Sequence, residues 1–305
     1  MDTRTITTEW AKPPPTQTTE LQLHEKPDLD TIINAQDFED VASRTLTSKT
    51  WAFYSSASTD CITRDQNRAF FARIWFRPRL LRNVAKVSTS TQILSHNVGL
   101  PIFVSPAAMA KMVHPDGEKG IARGCLEHRV PQCVSTNASY PIDEIVDSVP
   151  KEATHPFFFQ LYVNKDRSKS EALLRHVRSL GISTIFVTID AAAAGKREAD
   201  ERVKADESLS TPMSGQKAKN DKKGGGLGRV MGNYIAPDFT WDEFAWLRQH
   251  WEGKIVVKGV QSWQDAKRCA DEGMDGVLLS NHGGRNLDKF VHLLYQQVLP
   301  LLSIC

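Results

Sequence analysis

Between Leu100 and His282, short apolar runs alternate with amphipathic stretches, and this rhythm limits the folds open to the chain more than any other feature. The runs are Pro101–Pro106 (PIFVSP), Val130–Thr136 (VPQCVST), Phe157–Val163 (FFFQLYV), Thr184–Asp190 (TIFVTID), Lys254–Val260 (KIVVKGV) and Gly276–His282 (GVLLSNH). An unbroken apolar run that stops at turn residues reads as a strand buried on both faces, the habit of parallel sheets. Ser170–Leu180 and Ser262–Glu272 carry helical spacing between such runs. Strand, helix, strand, repeated with right-handed crossovers, implies a parallel sheet. No Gly-x-Gly-x-x-Gly follows any run, which argues against a dinucleotide fold. Polar residues close every run, as they do where barrel strands meet their active-site loops. The expected architecture is α/β: an incomplete TIM (β/α) barrel of six strand–helix units out of eight. A helical segment precedes it, beginning in Asp37–Leu46 with Phe38, Val41, Ala42 and Leu46 on one face. The apolar segment Arg73–Leu81 follows, interrupted by Pro78.

Composition narrows the function classes. At 305 residues, 40% hydrophobic and 24% charged, the chain can bury a large core. Its net charge of +2 offers no global field for nucleic acid or a membrane surface. Five cysteines, an odd number with no Cys-x-x-Cys pair, point to reduced thiols rather than a disulfide framework or a zinc site. No apolar stretch reaches transmembrane length, and the N-terminus lacks the apolar core of a signal peptide. An intracellular setting follows, with cytoplasm and mitochondrion both open. Residues 1–28, with Pro13-Pro14-Pro15, read as a disordered arm, and 29–305 as one domain. Within it, Glu198–Met231 is charged and Gly-rich and reads as a mobile lid or disordered loop.

The last run carries the densest chemistry. In Gly276–Asp288 (GVLLSNHGGRNLD), His282 can accept a proton near neutral pH and Arg285 can grip a carboxylate with a planar fork. The two glycines between them let backbone approach a flat ligand. Together these residues suit removal of a proton or hydride beside a carboxylate. A capped turn and a surface ion pair would be the plain structural alternative for an isolated His-Gly-Gly-Arg.

The string SNHGGRNLD resembles the active-site signature of the FMN-dependent 2-hydroxy acid dehydrogenases and oxidases, and the resemblance extends from about Leu29 to Asp288. It implies FMN as cofactor, a small 2-hydroxy acid as substrate, and a homo-oligomer such as a tetramer, with no metal, nucleic acid or membrane partner. It also implies a role for each strand end. Backbone at Pro106, Ala107 and Ala108 would lie along the flavin ring, with Ala107 standing where the family usually has Thr. Ser135, Gln160, Thr188 and Ser280 would hydrogen-bond the ring, and Lys258 would face its pyrimidine edge. Tyr162 would meet the substrate hydroxyl and Arg285 its carboxylate; Arg197 resembles the family's second, substrate-binding arginine at the mouth, with a surface charge at the root of the 198–231 loop as the alternative. His282 would be the base, oriented by Asp190. Taken singly, a strand-end lysine could serve a Schiff base or an ion pair, and Gln-Leu-Tyr could be satisfied core. Six matches in order on consecutive strand ends favour the family reading. The implied activity is oxidation of an L-2-hydroxy acid, lactate-like, to the 2-keto acid. An oxygen-using oxidase and a non-catalytic remnant acting through protein contacts are the alternatives.

Two departures from the family pattern stand out. Its usual Tyr-Tyr pair appears here as Phe53-Tyr54, so a hydroxyl expected at the substrate carboxylate is missing. After Asp288 the family continues through two more units that carry an Asp-Gly-Gly-Val-Arg stretch and a Gly-Arg-Pro turn for the FMN phosphate. This chain reads FVHLLYQQVLPLLSIC over 290–305 instead. The sequence-based expectation is therefore a truncated chain, weak in FMN binding and poor or inactive as an enzyme.

Overall fold

The computed structural model describes residues 25–153 and 155–289. The arm expected over 1–28 lies almost wholly outside the described residues, as does the run after Lys289. The chain divides into two compact units, Met1–Ser48 and Lys49–Cys305. In the first, helix α1 (Ala35–Thr45) starts two residues before the expected Asp37. The Asn34 side chain explains this, since it accepts the backbone N–H groups of Gln36 and Asp37 at 2.7 and 3.0 Å.

The second unit opens with α2 (Ser48–Ser55, its first residue at the boundary) and α3 (Ile62–Phe70). A hairpin of β1 (Thr91–Ile93) and β2 (His96–Val98) follows, then α4 (Gly117–Glu127), β3 (Gln132–Ser135), α5 (Ile142–Val146) and β4 (Phe157–Leu161). Next come α6 (Arg167–Ser179), β5 (Thr184–Thr188), α7 (Glu198–Arg202), a second hairpin of β6 (Ser210–Thr211) and β7 (Gln216–Lys217), and α8 (Leu227–Met231). Helix α9 (Phe244–His250), strand β8 (Lys254–Val260), helix α10 (Trp263–Asp271) and strand β9 (Gly276–Leu279) follow among the described residues.

Five strands form one all-parallel sheet in the order β3-β4-β5-β8-β9. Each lies beside its predecessor in sequence, the α/β-barrel pattern; a doubly wound sheet would reverse direction at a switch point. The first expected strand enters this sheet only as a single parallel bridge, Val104 to Gln132. Val104 N–H donates to the Pro131 carbonyl and Cys133 N–H to the Val104 carbonyl, both at 2.9 Å. Pro101 and Pro106 lack the N–H groups that would lengthen the pairing, so the expected six strands resolve into five and a bridge.

The alternation of side chains sorts each strand into two faces. Phe159, Leu161, Ile185, Val187, Ile255 and Val257 join the main core under α6 and α9, with Trp251 and Leu247. On the opposite face Cys133, Phe158, Phe186 and Val256 form a second apolar layer, plugged by Ile93, Leu94 and Phe103. One step further along the same face stand Ser135, Gln160, Thr188 and Lys258, all buried. The interior thus changes from apolar to polar within two residues of each strand's C-terminal end.

Segment 198–231, expected as a lid or disordered loop, carries α7, the β6–β7 hairpin and α8 in this structure. Arg229 clasps Glu201 through two bonds of 2.9 and 3.0 Å, and Leu227 and Met231 pack on Phe53 and Met109. Segment 74–90 has no regular structure, and Trp75, Phe76, Leu80 and Leu81 within it are exposed.

Candidate active site

A cavity of about 460 Å³ opens over the polar layer, within the range of small-molecule sites. Its floor is a hydrogen-bonded chain across three strand ends. Ser135 Oγ and the Thr136 N–H both donate to Gln160 Oε1, at 3.1 and 3.2 Å, and Gln160 Nε2 donates to Thr188 Oγ1 at 2.9 Å. Gln160 keeps one amide N–H beyond these bonds. Lys258 is buried beside it, and among the described residues its ammonium has no hydrogen-bond or ion-pair partner.

His282 follows β9 in a left-handed conformation, φ 56°, with its N–H on Ser280 Oγ at 2.9 Å. That backbone is costly for a residue with a side chain, and it turns the imidazole across the strand ends toward Asp190. Nδ1 lies 2.6 Å from Asp190 Oδ1, and Nε2 lies 3.3 Å from the Tyr162 hydroxyl. A carboxylate on Nδ1 holds the proton there and leaves Nε2 free to accept. Burial lowers the pKa of His282; the Asp190 hydrogen bond opposes this, while Lys258 and Arg197 add to it, and the net shift is downward. The imidazole is therefore neutral at pH 7. Burial holds the Tyr162 hydroxyl well above its ordinary pKa, so it stays protonated. Gly259, at φ 106°, permits the whole arrangement: a Cβ there would sit 2.6 Å from Asp190 Cγ.

Two arginines face the same cavity. Arg285 is anchored by α2 and the residue after it: Nη1 donates to the Tyr54 and Ser56 carbonyls at 2.9 Å each, and Nη2 to Phe53 at 2.6 Å. Three of its five N–H groups are thereby used, leaving one edge of the fork. Burial and the neighbouring Arg197 pull its pKa down to about 9, still charged at neutral pH. Arg197 Nε donates to the Arg285 carbonyl at 3.1 Å. Gly195 and Gly228 make room, since a Cβ would fall 2.2 Å from the Arg285 carbonyl oxygen and 2.7 Å from Arg197 Nη1 respectively.

Most residues singled out from sequence meet here. Pro106, Ala107, Ala108, Ser135, Gln160, Tyr162, Arg197, Lys258, Ser280, His282 and Arg285 line the cavity. Thr188 and Asp190 do not; they stand behind Gln160 and His282 and hold them. Several participants lie inside the quoted motifs but receive no role from sequence. Tyr54 donates its hydroxyl to the Ala108 carbonyl at 2.6 Å, fixing the loop opposite β9. Asn286 bonds the Asp190 carbonyl at 2.7 Å. Asp288 accepts from Thr63 N, Asp60 N and Thr59 Oγ1 at 2.7, 3.0 and 3.0 Å, which ties the motif to the start of α3. Desolvation would raise that carboxyl, but the bonds outweigh it and hold it well below the usual carboxylate range. Phe53, the departure noted in the sequence, places its ring 5.3 Å from the Arg285 guanidinium in a cation–π contact.

The buried cation without a partner, the spare Gln160 N–H and the backbone of Ala107–Ala108 along the cavity wall suit a planar, electron-accepting ring with polar edges, as a flavin has. The comparisons agree. Residues 42–295 match the family model described as FMN-dependent dehydrogenase. The chain is 41% identical over 265 residues to the L-lactate dehydrogenase (cytochrome) of Saccharomyces cerevisiae, an alignment covering 86% of this chain and 44% of that protein. It is 32% identical over 277 residues to the 2-hydroxyacid oxidase of Dictyostelium discoideum, covering 90% and 70%. Among solved structures, the flavin-binding domain of baker's yeast flavocytochrome b2 superposes with a TM-score of 0.78 at 37% identity, covering 91% of this chain and 67% of that one. A mandelate oxidase structure gives 0.80 at 28% identity, covering 88% and 76%. The chain spans about half the length of the first curated relatives it matches. It is a TIM-barrel flavoenzyme relative whose cofactor class is FMN, and it belongs to the FMN-dependent dehydrogenase family.

Proposed function

We propose that this chain serves the FMN-dependent oxidation of an L-2-hydroxy acid to the 2-keto acid, with a lactate-like substrate. The observation that carries this reading is the imidazole of His282, neutral, with Nδ1 on Asp190 and Nε2 turned to the Tyr162 hydroxyl, in a cavity that also holds two arginines. Arg285, through its open edge, and Arg197 would bind the substrate carboxylate. Tyr162, kept protonated by burial, would hydrogen-bond the substrate's oxygen. His282 Nε2 would take the proton released in the oxidation, and Asp190 would stabilise the imidazolium that results. FMN, when bound, would supply the two-electron acceptor. Pro106, Ala107 and Ala108 would offer backbone along its ring, with Ser135, Gln160, Lys258 and Ser280 at its edges and Thr188 acting through Gln160. The lactate preference rests on the name of the yeast relative; the Dictyostelium relative's name keeps an oxidase using oxygen as the second reading.

The test is an FMN titration of the purified chain followed by anaerobic addition of L-lactate, glycolate and D-lactate. The expected result is weak flavin uptake, as the absence of the family's phosphate-binding stretch from the sequence implies, slow bleaching by L-lactate ahead of the other two, and no bleaching in His282→Ala. Equal bleaching in His282→Ala, or no uptake of FMN, sinks the proposal. Rapid reoxidation of the bleached flavin by air would favour the oxidase.

A further inference from the structure

Segment 198–231 supplies part of the cavity wall, and its deepest anchor is an ion pair that no catalytic role accounts for. The Lys49 ammonium faces four acceptors with its three N–H groups: Asp200 Oδ1 at 2.5 Å and the carbonyls of Asp200, Gly225 and Val203 at 2.6, 2.8 and 3.0 Å. The Lys49 and Asp200 side chains are only 9% and 1% exposed. A buried pair of this kind is seldom a source of net stability, because desolvation offsets the attraction. Its consequence here is geometric.

Lys49 and Phe53 stand one turn apart on α2, hence on one face of the helix. The free carbonyls at the C-terminal end of α2, Phe53 among them, fix Arg285, while the Lys49 ammonium from its first turn fixes Asp200. The second Asp200 oxygen accepts the Gly228 N–H at 3.0 Å, and Gly228 is the surface against which the Arg197 guanidinium rests. Arg197 then closes the circuit on the Arg285 carbonyl. The spacing between the two guanidinium groups is thus set from one helix, through two short connections.

We propose that Lys49 and Asp200 are a positioning pair that sets the separation of Arg197 and Arg285, and so the fit of a substrate carboxylate between them. This rests on the reading that the arginines receive a carboxylate. The pair touches no reacting atom; it acts through Gly228 and segment 198–231, and the Asp200 charge also favours the charged forms of Arg197 and Arg285.

The variants are Lys49→Met, which leaves the buried carboxylate unpaired, and Lys49→Leu/Asp200→Leu, which removes both charges and keeps the site packed. In the double variant the melting temperature should fall, because the carbonyls of Asp200, Val203 and Gly225 and the Gly228 N–H lose these partners, but FMN affinity should stay near the parent's. Its affinity for oxalate, a non-reacting dicarboxylate, should fall by about tenfold or more, near 1.4 kcal/mol. Oxalate affinity within about twofold of the parent's would overturn the proposal. A parallel loss of FMN and oxalate binding would also overturn it, since that marks general structural damage. A ligand-free measurement separates this proposal from the functional reading. Exchange of the Arg197 Nε–H with solvent, followed by NMR, should quicken by about tenfold in both variants, because the bond to Arg285 loses its backing. Unchanged exchange overturns the pair's role even if the parent binds no carboxylate.

Discussion

Replacing Asp190 by asparagine should invert the proton arrangement on His282 without disturbing the cavity's shape. The Asp190 side chain is 5% exposed; Oδ1 takes the 2.6 Å bond to His282 Nδ1, and Oδ2 is buried with no partner among the described residues. An asparagine has two ways to sit there. With its oxygen toward His282, the NH₂ group occupies the place of Oδ2 and leaves two buried N–H groups unsatisfied, costing about 1–3 kcal/mol each. With its NH₂ toward His282, one N–H is satisfied, but only if Nδ1 becomes an acceptor and the proton moves to Nε2. The second arrangement is the cheaper, and it blocks the nitrogen that faces Tyr162. The amide also cannot stabilise an imidazolium as a carboxylate does. The same exchange in a serine protease triad lowers turnover by about 10⁴-fold, roughly 5 kcal/mol of barrier, and a loss of that order is expected here. Anaerobic stopped-flow flavin reduction by L-lactate measures it, and ¹⁵N NMR of selectively labelled histidine reads the tautomer at neutral pH without any turnover. The reasoning fails if the Asp190→Asn protein keeps its proton on Nδ1, or if it reduces flavin within about tenfold of the parent rate.

Gly259→Ala forces a residue with a side chain into φ 106° and sets its Cβ 2.6 Å from Asp190 Cγ. It should cost about 1–3 kcal/mol from the backbone alone, read by urea denaturation, and an unchanged midpoint would contradict the packing described. Arg285→Lys replaces a fork that reaches three carbonyls with a single ammonium. Each bond not remade should cost about 1.5–3 kcal/mol, seen as a lower melting temperature together with weaker carboxylate binding. The pKa of His282 is depressed in the folded state, so its neutral form contributes stability that is full above about pH 6.5 and is lost as pH falls through the folded value. The acid limb of kcat/KM should accordingly lie below about 6.5 and move upward in Lys258→Met, which removes one of the cations that lower it; a limb above 7 would refute this.

The sheet was legible because its strands are short, apolar and punctuated, and β8 runs over the expected residues Lys254–Val260. Where expectation and structure part, the cause lies in backbone chemistry or in distance along the chain. Two prolines reduce Pro101–Pro106 to a bridge, and β9 ends at Leu279 because the next residues turn toward the left-handed His282. One anchor of segment 198–231 is Lys49, 151 residues before Asp200, and no local pattern carries a contact at that range. The types of the cavity residues were readable from the strand ends. How Arg285 is held was not: the sequence suggests a fork free for a carboxylate, and the structure spends most of that fork on the carbonyls of Phe53, Tyr54 and Ser56.

The stagger of the sheet has a consequence for how such a site tolerates change. Ser135 is the register partner of Gln160, and Thr188 that of Lys258, yet Gln160 itself lies opposite Phe186. The bond from Gln160 to Thr188 is therefore a diagonal one across a two-residue offset, and it exists in that register alone. A point substitution on these strands removes one group and leaves the others in place. A single inserted or deleted residue in β4 reverses its faces, driving Gln160 toward the helices and Leu161 into the cavity. The strand ends thus behave as one inherited unit, open to side-chain replacement and closed to changes of length, while insertions between the strands leave the unit intact.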